Sequence, residues 1–251
     1  MTAKRVLITG ASKGIGRAVA ERLAASGDLP VGLARTSPGD FPGEFYAVDL
    51  ADRAATDGAL ERVLRNGRVD AVVNNVGVAR FGRIGSIDLD DLFATYDLNV
   101  RTAVQVVQAV LPGMVAAGWG RIVNVTSLTT LGTPERTPYA ATKAALEACT
   151  RIWAGELAQS GITVNAVAPG PIETEMYRGL SPAGSEREAH ILQTIPLRRL
   201  GMPREIAHAI CVLLDEDAGY ITGQIIRADG GGSIAASQVP HRGANQEGEF
   251  L

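Results

Sequence analysis

The sequence predicts an α/β fold in which a single domain forms around one doubly wound parallel sheet. Short apolar runs that suit buried strands alternate with helical patterns along the chain, and this alternation predicts parallel strands with helices on both faces. The first apolar run, residues 6–8, leads directly into a glycine-rich turn and then a helix. With 251 residues, 46% of them hydrophobic, the chain can bury one large core.

Composition and charge narrow the class of partner. The net charge is −3 and no run of Lys or Arg exceeds two residues, so we expect neither nucleic acid nor an anionic membrane as a partner. Cys149 and Cys211 lie in helical patterns and are expected to be reduced thiols, and the three histidines lack metal-ligand spacing, so no metal is expected. No signal peptide precedes the first strand and no apolar run approaches membrane length, which predicts a cytoplasmic protein.

The turn after the first strand is typical of a dinucleotide site. Residues 9–16 read Thr-Gly-Ala-Ser-Lys-Gly-Ile-Gly, and the helix that follows begins inside this turn. Glycines let the backbone approach a ligand closely, and the amides at a helix N-terminus attract phosphate. An ordinary strand–helix turn is the alternative. The candidate cofactor-binding residues here are Gly10, Ser12, Lys13, Gly14, Ile15 and Gly16.

Two cations favour NADP(H) over NAD(H). An NAD site usually has a carboxylate about 20 residues beyond the glycines, for the ribose 2′-hydroxyl. The second predicted strand, residues 29–34, ends instead at Arg35, and Lys13 lies within the glycine turn. Both cations suit a 2′-phosphate, although each could be an ordinary solvated loop residue.

Two further strand ends carry candidate polar groups. The third predicted strand, residues 45–48, ends at Asp49 and Leu50. Asp49 either faces the adenine or caps the helix that begins near residue 52. The fourth, residues 69–73, is followed by Asn74, Asn75, Val76 and Gly77. The Asn side chains could tie strand ends together, Gly77 leaves room for a ring, and a local Asx-turn is the alternative.

The middle of the chain predicts two helices and a fifth strand. Residues 88–96 form the first helix, and the second carries apolar residues from 100 to 114. Asn99 lies at their junction, where it either marks a kink or a cap or has a functional role. Pro112 predicts a bend or the last turn of the second helix. The fifth strand, residues 120–125, delivers Ser127.

Tyr139 and Lys143 are spaced i, i+4 on the next predicted helix, which runs to about residue 159. This spacing puts both side chains on one helix face. A cation about 4 Å away could lower the pKa of a phenol by roughly three units, into the range of a general acid/base. An ordinary surface pair is the alternative for two such residues taken alone.

The rest of the chain completes the domain. A sixth strand, residues 162–167, ends in a stiff loop with Pro169 and Gly170, at the edge where open α/β sheets bind ligands. Residues 175–200 are mixed in character and are predicted to be an irregular lid or substrate loop. A helix over residues 203–214, a strand over 224–227 and a turn over 229–232 close a domain of residues 1–233. Residues 234–251 are predicted to be a polar tail.

Four motifs, in this order, resemble those of the short-chain dehydrogenase/reductase family over residues 5–233. They are the glycine turn of residues 10–16, Asn74-Asn75-x-Gly77, Ser127 with Tyr139-x-x-x-Lys143, and Pro169-Gly170. The resemblance implies seven strands and a catalytic set of Asn99, Ser127, Tyr139 and Lys143. In that set Tyr139 exchanges the proton, Ser127 holds the substrate oxygen, Lys143 holds the nicotinamide ribose, and Asn99 supports a proton-relaying water. It also places Ile172 and Thr174 at the carboxamide. Val76 departs from the Ala that is usual in the family.

Within this family the chain resembles 3-oxoacyl-carrier-protein reductases, notably over residues 161–170 and 218–231. Those enzymes tend to be basic just before the fifth strand and at the end of the Tyr139 helix, where they meet an acidic carrier protein. Residues 116–119 and 159–160 carry no basic side chain here. Small or cyclic ketones, CoA thioesters and secondary alcohols therefore stay open as substrates.

The expected function is an NADP(H)-dependent oxidoreductase of ketones and secondary alcohols. A catabolic secondary-alcohol or diol dehydrogenase is the alternative within that class. A non-catalytic NADP-binding sensor would not need the acid/base set, and a structural subunit would not need the glycine turn. Two long helices with apolar residues on more than one face predict a homotetramer, or at least a homodimer.

Overall fold

The computed structural model describes residues 3–235, which form one seven-stranded parallel sheet with helices on both faces. The predicted fold class is confirmed. The strands are β1 (Arg5–Thr9), β2 (Leu29–Ala34), β3 (Glu44–Ala47), β4 (Ala71–Asn74), β5 (Gly120–Val125), β6 (Ile162–Pro169) and β7 (Ile225–Ala228). Their order across the sheet is β3-β2-β1-β4-β5-β6-β7.

Nine α-helices connect or flank the strands in the described part of the chain. They are α1 (Gly14–Ala25), α2 (Arg53–Arg65), α3 (Leu89–Tyr96), α4 (Thr102–Ala117), α5 (Thr137–Leu157), α6 (Glu175–Arg178), α7 (Glu186–Thr194), α8 (Pro203–Leu214) and α9 (Gly232–Ala235). Of the predicted tail, residues 234 and 235 belong to α9, and the remainder lies outside the described residues.

The alternation of side chains along β1 explains the two layers of core. Leu7 faces the side covered by α2, α4 and α5, where Leu60 and Val110 pack with it in one cluster. Val6 and Ile8 face the side covered by α1 and α8 in a second cluster. Successive strand residues point to opposite faces of the sheet, so the apolar run Val6, Leu7 and Ile8 is buried on both faces.

Strand order reverses at β1, which pairs with β2 on one side and β4 on the other. The loops that leave the two neighbouring strands then diverge to opposite faces, and the gap between them at the carboxyl ends of the strands is where open α/β sheets bind ligands. The predicted site residues after β1, β4, β5 and β6 therefore share one edge.

Of the two expectations for Pro112, a bend or the last turn of its helix, the last turn is wrong. The helix continues to Ala117, so Pro112 does not lie in its last turn. Leu89–Ala117 is also long and apolar enough to cross a bilayer by length and composition alone, which corrects the statement that no apolar stretch approaches that length. Val106, Val110 and Met114 on this helix are buried in the core beside the sheet, as expected for a core helix.

The segment of residues 175–200 is not irregular, because it contains α6 and α7. Thr174 and Ser185 cap these helices by accepting hydrogen bonds from the amides of Tyr177 and Glu188. Arg178 forms ion pairs with Glu173 and Glu188 and so ties the two helices to the loop after β6. The cap and the ion pairs supply local order that a mixed composition does not reveal.

Candidate active site

The glycine turn leaves no room for side chains at its centre. Gly10 and Gly14 have φ values of 67° and 58°, in the region that favours glycine. A Cβ on Gly16 would lie 2.4 Å from the carbonyl oxygen of Gly10. The N-terminus of α1 therefore packs directly against the turn, with its amides at the open end of the sheet.

Asn75 holds this turn in place from the neighbouring strand. Its Nδ2 donates to the carbonyl oxygens of Thr9 (2.9 Å) and Gly10 (3.1 Å). Thr9 Oγ1 in return accepts from the amides of Asn75 and Val76, both at 3.0 Å. The prediction that Asn side chains tie strand ends together is confirmed for Asn75, which joins the end of β4 to the end of β1.

Asn74 has a separate role, inside the sheet. Its Nδ2 donates to Asn124 Oδ1 on β5 (2.8 Å), and Asn124 Nδ2 donates to Thr150 Oγ1 on α5 (2.9 Å). All three residues are buried. These hydrogen bonds fix β4, β5 and the helix of Tyr139 relative to each other. The side chains of Asn74 and Asn75 are thus used between strands, and the Asx-turn alternative is wrong for both.

The two cations predicted to bind a 2′-phosphate have different surroundings. Arg35 is exposed at the end of β2 and has no hydrogen-bond or ion-pair partner among residues 3–235. Lys13 is exposed and forms an ion pair with Glu175, the first residue of α6. Arg35 is thus available to a ligand, whereas Lys13 would exchange one anionic partner for another.

The alternative role for Asp49 is wrong. Asp52 caps α2 by accepting from the amide of Ala55 (2.9 Å), while Asp49 Oδ1 accepts from the amide of Ala51 (3.0 Å). Asp49 is exposed, and Leu50 beside it is buried with its carbonyl oxygen bound by Arg101. The placement of Asp49 toward an adenine stays a prediction.

Tyr139, Ser127 and Lys143 converge at the carboxyl end of β5. Ser127 follows this strand, is 8% exposed and accepts at Oγ from the amide and the hydroxyl of Thr129. Burial raises the pKa of the Tyr139 phenol, and a hydrogen bond with Ser127 and the charge of Arg136 act against this rise. An influence that lowers a pKa favours the charged form, so Ser127 acts in favour of the phenolate.

Lys143 is buried beside the Tyr139 ring. Its Nζ donates to the carbonyl oxygen of Val125 (2.8 Å) and lies 5.7 Å from the centroid of the Tyr139 ring. Burial lowers the pKa of the Lys143 ammonium to about 8. The expectation that Lys143 brings the pKa of Tyr139 toward neutrality is therefore not met in this structure, since the pKa of the phenol is raised and the opposing influences come from Ser127 and Arg136.

Asn99 lies in a π-helical turn, Asp97–Arg101, between α3 and α4. Its Nδ2 donates to the Val78 carbonyl oxygen and to Thr142 Oγ1, both at 3.0 Å, and its Oδ1 accepts from the Val78 amide (2.8 Å). Single π-turns often mark functional sites. The Asn99 side chain thus ties the segment after β4, at Val78, to Thr142 on α5, which is the residue before Lys143.

Gly77 lies beside the side chains of Asn99 and Lys143. A Cβ there would lie 3.3 Å from both Lys143 Nζ and Asn99 Oδ1. This corner of the site is therefore a narrow cradle between β4 and α5, lined by a cation and an amide, and the prediction that Gly77 leaves room holds geometrically.

The loop after β6 closes the other side. Pro169 ends β6, and Gly170 packs so closely that a Cβ would lie 2.8 Å from Asp229 Cα. Ile172 is buried, and a Cβ on Gly14 would lie 3.5 Å from Thr174 Cγ2. The loop thus reaches the glycine turn, and the structure brings together the predicted residues at one edge of the sheet.

Arg136 is a site residue that the sequence analysis missed. It is half-buried three residues before Tyr139, and its guanidinium carbon lies 3.6 Å from the centroid of the Phe81 ring. Its position just before a predicted acid/base was the available signal. The contact with Phe81 could not be foreseen, because the two residues are far apart in the chain.

This chain is similar to known proteins over most of its length. A family model described as enoyl-(acyl carrier protein) reductase matches residues 10–233. The 3-oxoacyl-[acyl-carrier-protein] reductase FabG of Escherichia coli (strain K12) is 37% identical over 238 residues, which are 91% of this chain and 96% of that protein.

This chain is also similar to solved structures. One described as a short chain dehydrogenase/reductase family protein has a TM-score of 0.84 at 34% identity, covering 92% of this chain and 97% of that chain. ElxO with NADP bound has a TM-score of 0.86 at 30% identity, covering 93% of this chain and 100% of that chain.

Proposed function

Since this chain belongs to the short-chain dehydrogenase/reductase family, and is therefore an oxidoreductase of the CH–OH/C=O pair, we propose that it interconverts a ketone and a secondary alcohol with NADP(H) and with Tyr139 as general acid/base. The observation that carries the proposal is the convergence of the half-buried Tyr139 with the buried Ser127 and Lys143 at the carboxyl end of β5. A nucleotide sensor would have no use for this arrangement.

The residues present fit a nicotinamide cofactor. The cradle at Gly77, which a Cβ would fill, and the closed turn at Gly10 and Gly16 leave the space that a dinucleotide needs. When bound, the cofactor would supply or accept the hydride. The residues that would hold it are Gly10, Ser12, Lys13, Gly14, Ile15, Gly16, Arg35, Asp49, Leu50, Asn75, Gly77, Tyr139, Lys143, Pro169, Gly170, Ile172 and Thr174.

The protein side chains manage the proton. Tyr139 gives its proton to the carbonyl oxygen in reduction and takes the alcohol proton in oxidation. Ser127 orients the substrate oxygen and stabilises the phenolate that reduction leaves. Lys143, with a pKa of about 8, would hold the nicotinamide ribose, and Asn99 keeps the segment at Val78 fixed against α5.

The choice of NADP(H) over NAD(H) is supported by the unpaired Arg35 and by the absence of an acid directly after β2. An Arg binds phosphate through charge-assisted hydrogen bonds, which are roughly twice as strong as neutral ones. We expect Arg35→Gln to raise KM for NADPH by about 10-fold or more and to leave KM for NADH unchanged. Arg198→Gln, at an exposed Arg bound to the Gln193 carbonyl oxygen, is the matched control. Equal or better kcat/KM with NADH in the wild type would overturn the assignment.

The carrier of the substrate is proposed to be something other than an acidic protein. Residues 116–119 and 159–160 lie side by side, since a Cβ on Gly161 would be 2.1 Å from the Gly118 carbonyl oxygen. The neighbouring cations are engaged: Arg121 is buried, and Lys4 pairs with Glu216 (3.5 Å). Without solvated cations, long-range steering of an acidic partner is weak.

A substrate panel read as NADPH absorbance tests the reaction. It includes acetoacetyl-CoA, acetoacetyl-carrier protein, cyclic ketones and diols. We expect kcat/KM for the carrier-protein thioester to be no higher than for the CoA thioester. A large preference for the carrier protein that collapses with salt would contradict this.

A homotetramer, or at least a homodimer, is proposed for the assembly. Apolar side chains on α3 and α5 are exposed in the single chain, with Phe93 69% and Ile152 57% exposed, and Leu89 lies one turn from Phe93. Large exposed apolar patches mark interaction surfaces. A monomer by light scattering at micromolar concentration would reject the proposal, and the cytoplasmic location stays a prediction.

A further inference from the structure

The guanidinium of Arg136 is a half-buried cation with unsatisfied donors at the mouth of the active site. It stacks on Phe81, with 3.6 Å between the guanidinium carbon and the ring centroid, and it donates no hydrogen bond to any group of residues 3–235. An Arg presents five N–H donors. No group of the described residues binds these donors, so they are available to a ligand that enters the site.

The backbone around Arg136 fixes its position. Residues 82 and 136 form a parallel bridge, and the Gly82 amide donates to the Glu135 carbonyl oxygen (3.0 Å). The segment that follows β4 is thereby attached to the start of α5, and Phe81 is held where the guanidinium can lie on its ring. The stack orients a fork of donors rather than leaving a flexible surface chain.

Among residues 3–235 no carboxylate forms an ion pair with this cation. Its neighbour Glu135 is engaged by Arg83 (3.0 Å). Burial lowers the pKa of the Arg136 guanidinium and the charge of Arg187 on α7 lowers it further, while the charges of Tyr139 and Glu135 act against this fall. An anion that enters beside Arg136 would therefore meet two cations that form no ion pair with a carboxylate of the described residues.

Other arginines of the segment that holds α6 and α7 are already used within the protein. Arg178 pairs with Glu173 and Glu188, and Arg199 pairs with Glu205 (2.6 Å). Arg187 has no such pair and is the one that reaches Arg136 electrostatically.

Arg136 is also close to the reacting group. It precedes Tyr139 by three residues, as the N-cap of α5, and its charge acts on the Tyr139 phenol. An anionic group on a compact substrate can thus reach the fork while its carbonyl oxygen meets the Tyr139 phenol.

We propose that Arg136 binds a carboxylate of the substrate, so that the enzyme acts on a short oxo acid and the corresponding hydroxy acid. This inference rests on the proposed oxidoreductase function and names its substrate class. A planar guanidinium fork matches the two oxygens of a carboxylate, and a thioester offers no charge at that distance from the carbonyl. The alternative is that Arg136 only braces Phe81.

The test compares acids with their neutral esters. Pyruvate, acetoacetate and levulinate are each paired with the methyl ester, and both binding (calorimetry) and NADPH-dependent reduction are measured. The variant is Arg136→Gln. The matched control is Arg80→Gln, which removes one cation from the segment that carries Phe81, where Arg80 pairs with Asp91 (3.6 Å).

We expect wild-type protein to bind at least one acid 10-fold or more tightly than its ester. That preference should fall by about 10–100-fold in Arg136→Gln, the range of a charged hydrogen-bonded pair, and should persist in Arg80→Gln. Arg136→Lys should restore only part of it, because Lys lacks the fork.

Equal binding of acid and ester to the wild type would overturn the inference, whether or not either compound is reduced. Reduction of the esters together with that result would leave the proposed function standing. Binding of an acid through Arg136 without reduction of any carbonyl in the panels would instead count against the oxidoreductase assignment while supporting the anion site.

Discussion

Replacing Lys143 with Met should remove turnover and yet make the ligand-free protein as stable as the wild type or more stable at pH 7. The Lys143 ammonium is buried, and burial lowers its pKa from 10.5 to about 8. One pKa unit corresponds to about 1.4 kcal/mol, so keeping this side chain charged in the fold costs about 3 kcal/mol. Met has a similar length and no charge.

One loss opposes this gain. Lys143 Nζ donates to the Val125 carbonyl oxygen (2.8 Å), and a buried carbonyl without its partner costs about 1–3 kcal/mol. The net change in the free energy of unfolding at pH 7 is therefore between zero and about 2 kcal/mol in favour of Met. Stability given up for function is common at active sites.

The dependence on pH gives a sharper test. Because the folded pKa is the lower one, the unfolded chain binds more protons between pH 8 and 10.5. The wild type should therefore gain stability relative to Lys143→Met as the pH rises, by about 1 kcal/mol from pH 7 to pH 9. The cost is fully present below pH 8 and is relieved above it.

The assay is urea unfolding of both proteins at equal concentration, followed by Trp fluorescence at pH 7 and pH 9. Other titrating groups act on both proteins and cancel in the difference. If the difference between the two proteins stays constant to within about 0.3 kcal/mol over this range, Lys143 is not a desolvated cation and the reasoning fails.

Three other results are expected. Tyr139→Phe should lose about 10²–10⁴-fold in kcat while NADPH binding stays close to that of the wild type, and retention of more than a tenth of kcat would require another acid. Gly77→Ala should lower kcat/KM for NADPH-dependent reduction about 10-fold or more, because its Cβ would lie 3.3 Å from Lys143 Nζ and Asn99 Oδ1. Gly155→Ala, where a Cβ meets nothing within 4 Å, should keep full activity and add up to about 1 kcal/mol of stability, so equal loss of activity in both variants would contradict the cradle.

The sequence was sufficient for features that depend on local order along the chain. Strand ends, the glycine turn and the i, i+4 pair of Tyr139 and Lys143 are written in neighbouring residues, and parallel topology then brings the strand ends together. The bond from Asn75 to the Thr9 and Gly10 carbonyl oxygens follows from two strands that pair next to each other.

Features that depend on burial or on distant pairs were not predictable. The spacing of Tyr139 and Lys143 gave proximity, but the pKa of each depends on desolvation, which no spacing reveals. The pair of Lys13 with Glu175 and the stack of Arg136 on Phe81 each join residues far apart in sequence. The sequence does contain one signal for a helix within residues 175–200, because Ser185 and Glu188 have capping-box spacing.

The charge that opposes the raised pKa of Tyr139 comes from Arg136 and not from Lys143, so Arg136 has two possible effects on the reaction. Its removal would make the Tyr139 phenol harder to ionise, which changes proton transfer for every substrate. It would also remove an attractive partner for a substrate carboxylate, which changes binding only for acids. Because an acid and its ester share the first effect and differ in the second, the ratio of their affinities in Arg136→Gln isolates recognition from catalysis. A loss of kcat that is equal for acid and ester, with an unchanged affinity ratio, would assign Arg136 to tuning Tyr139 alone.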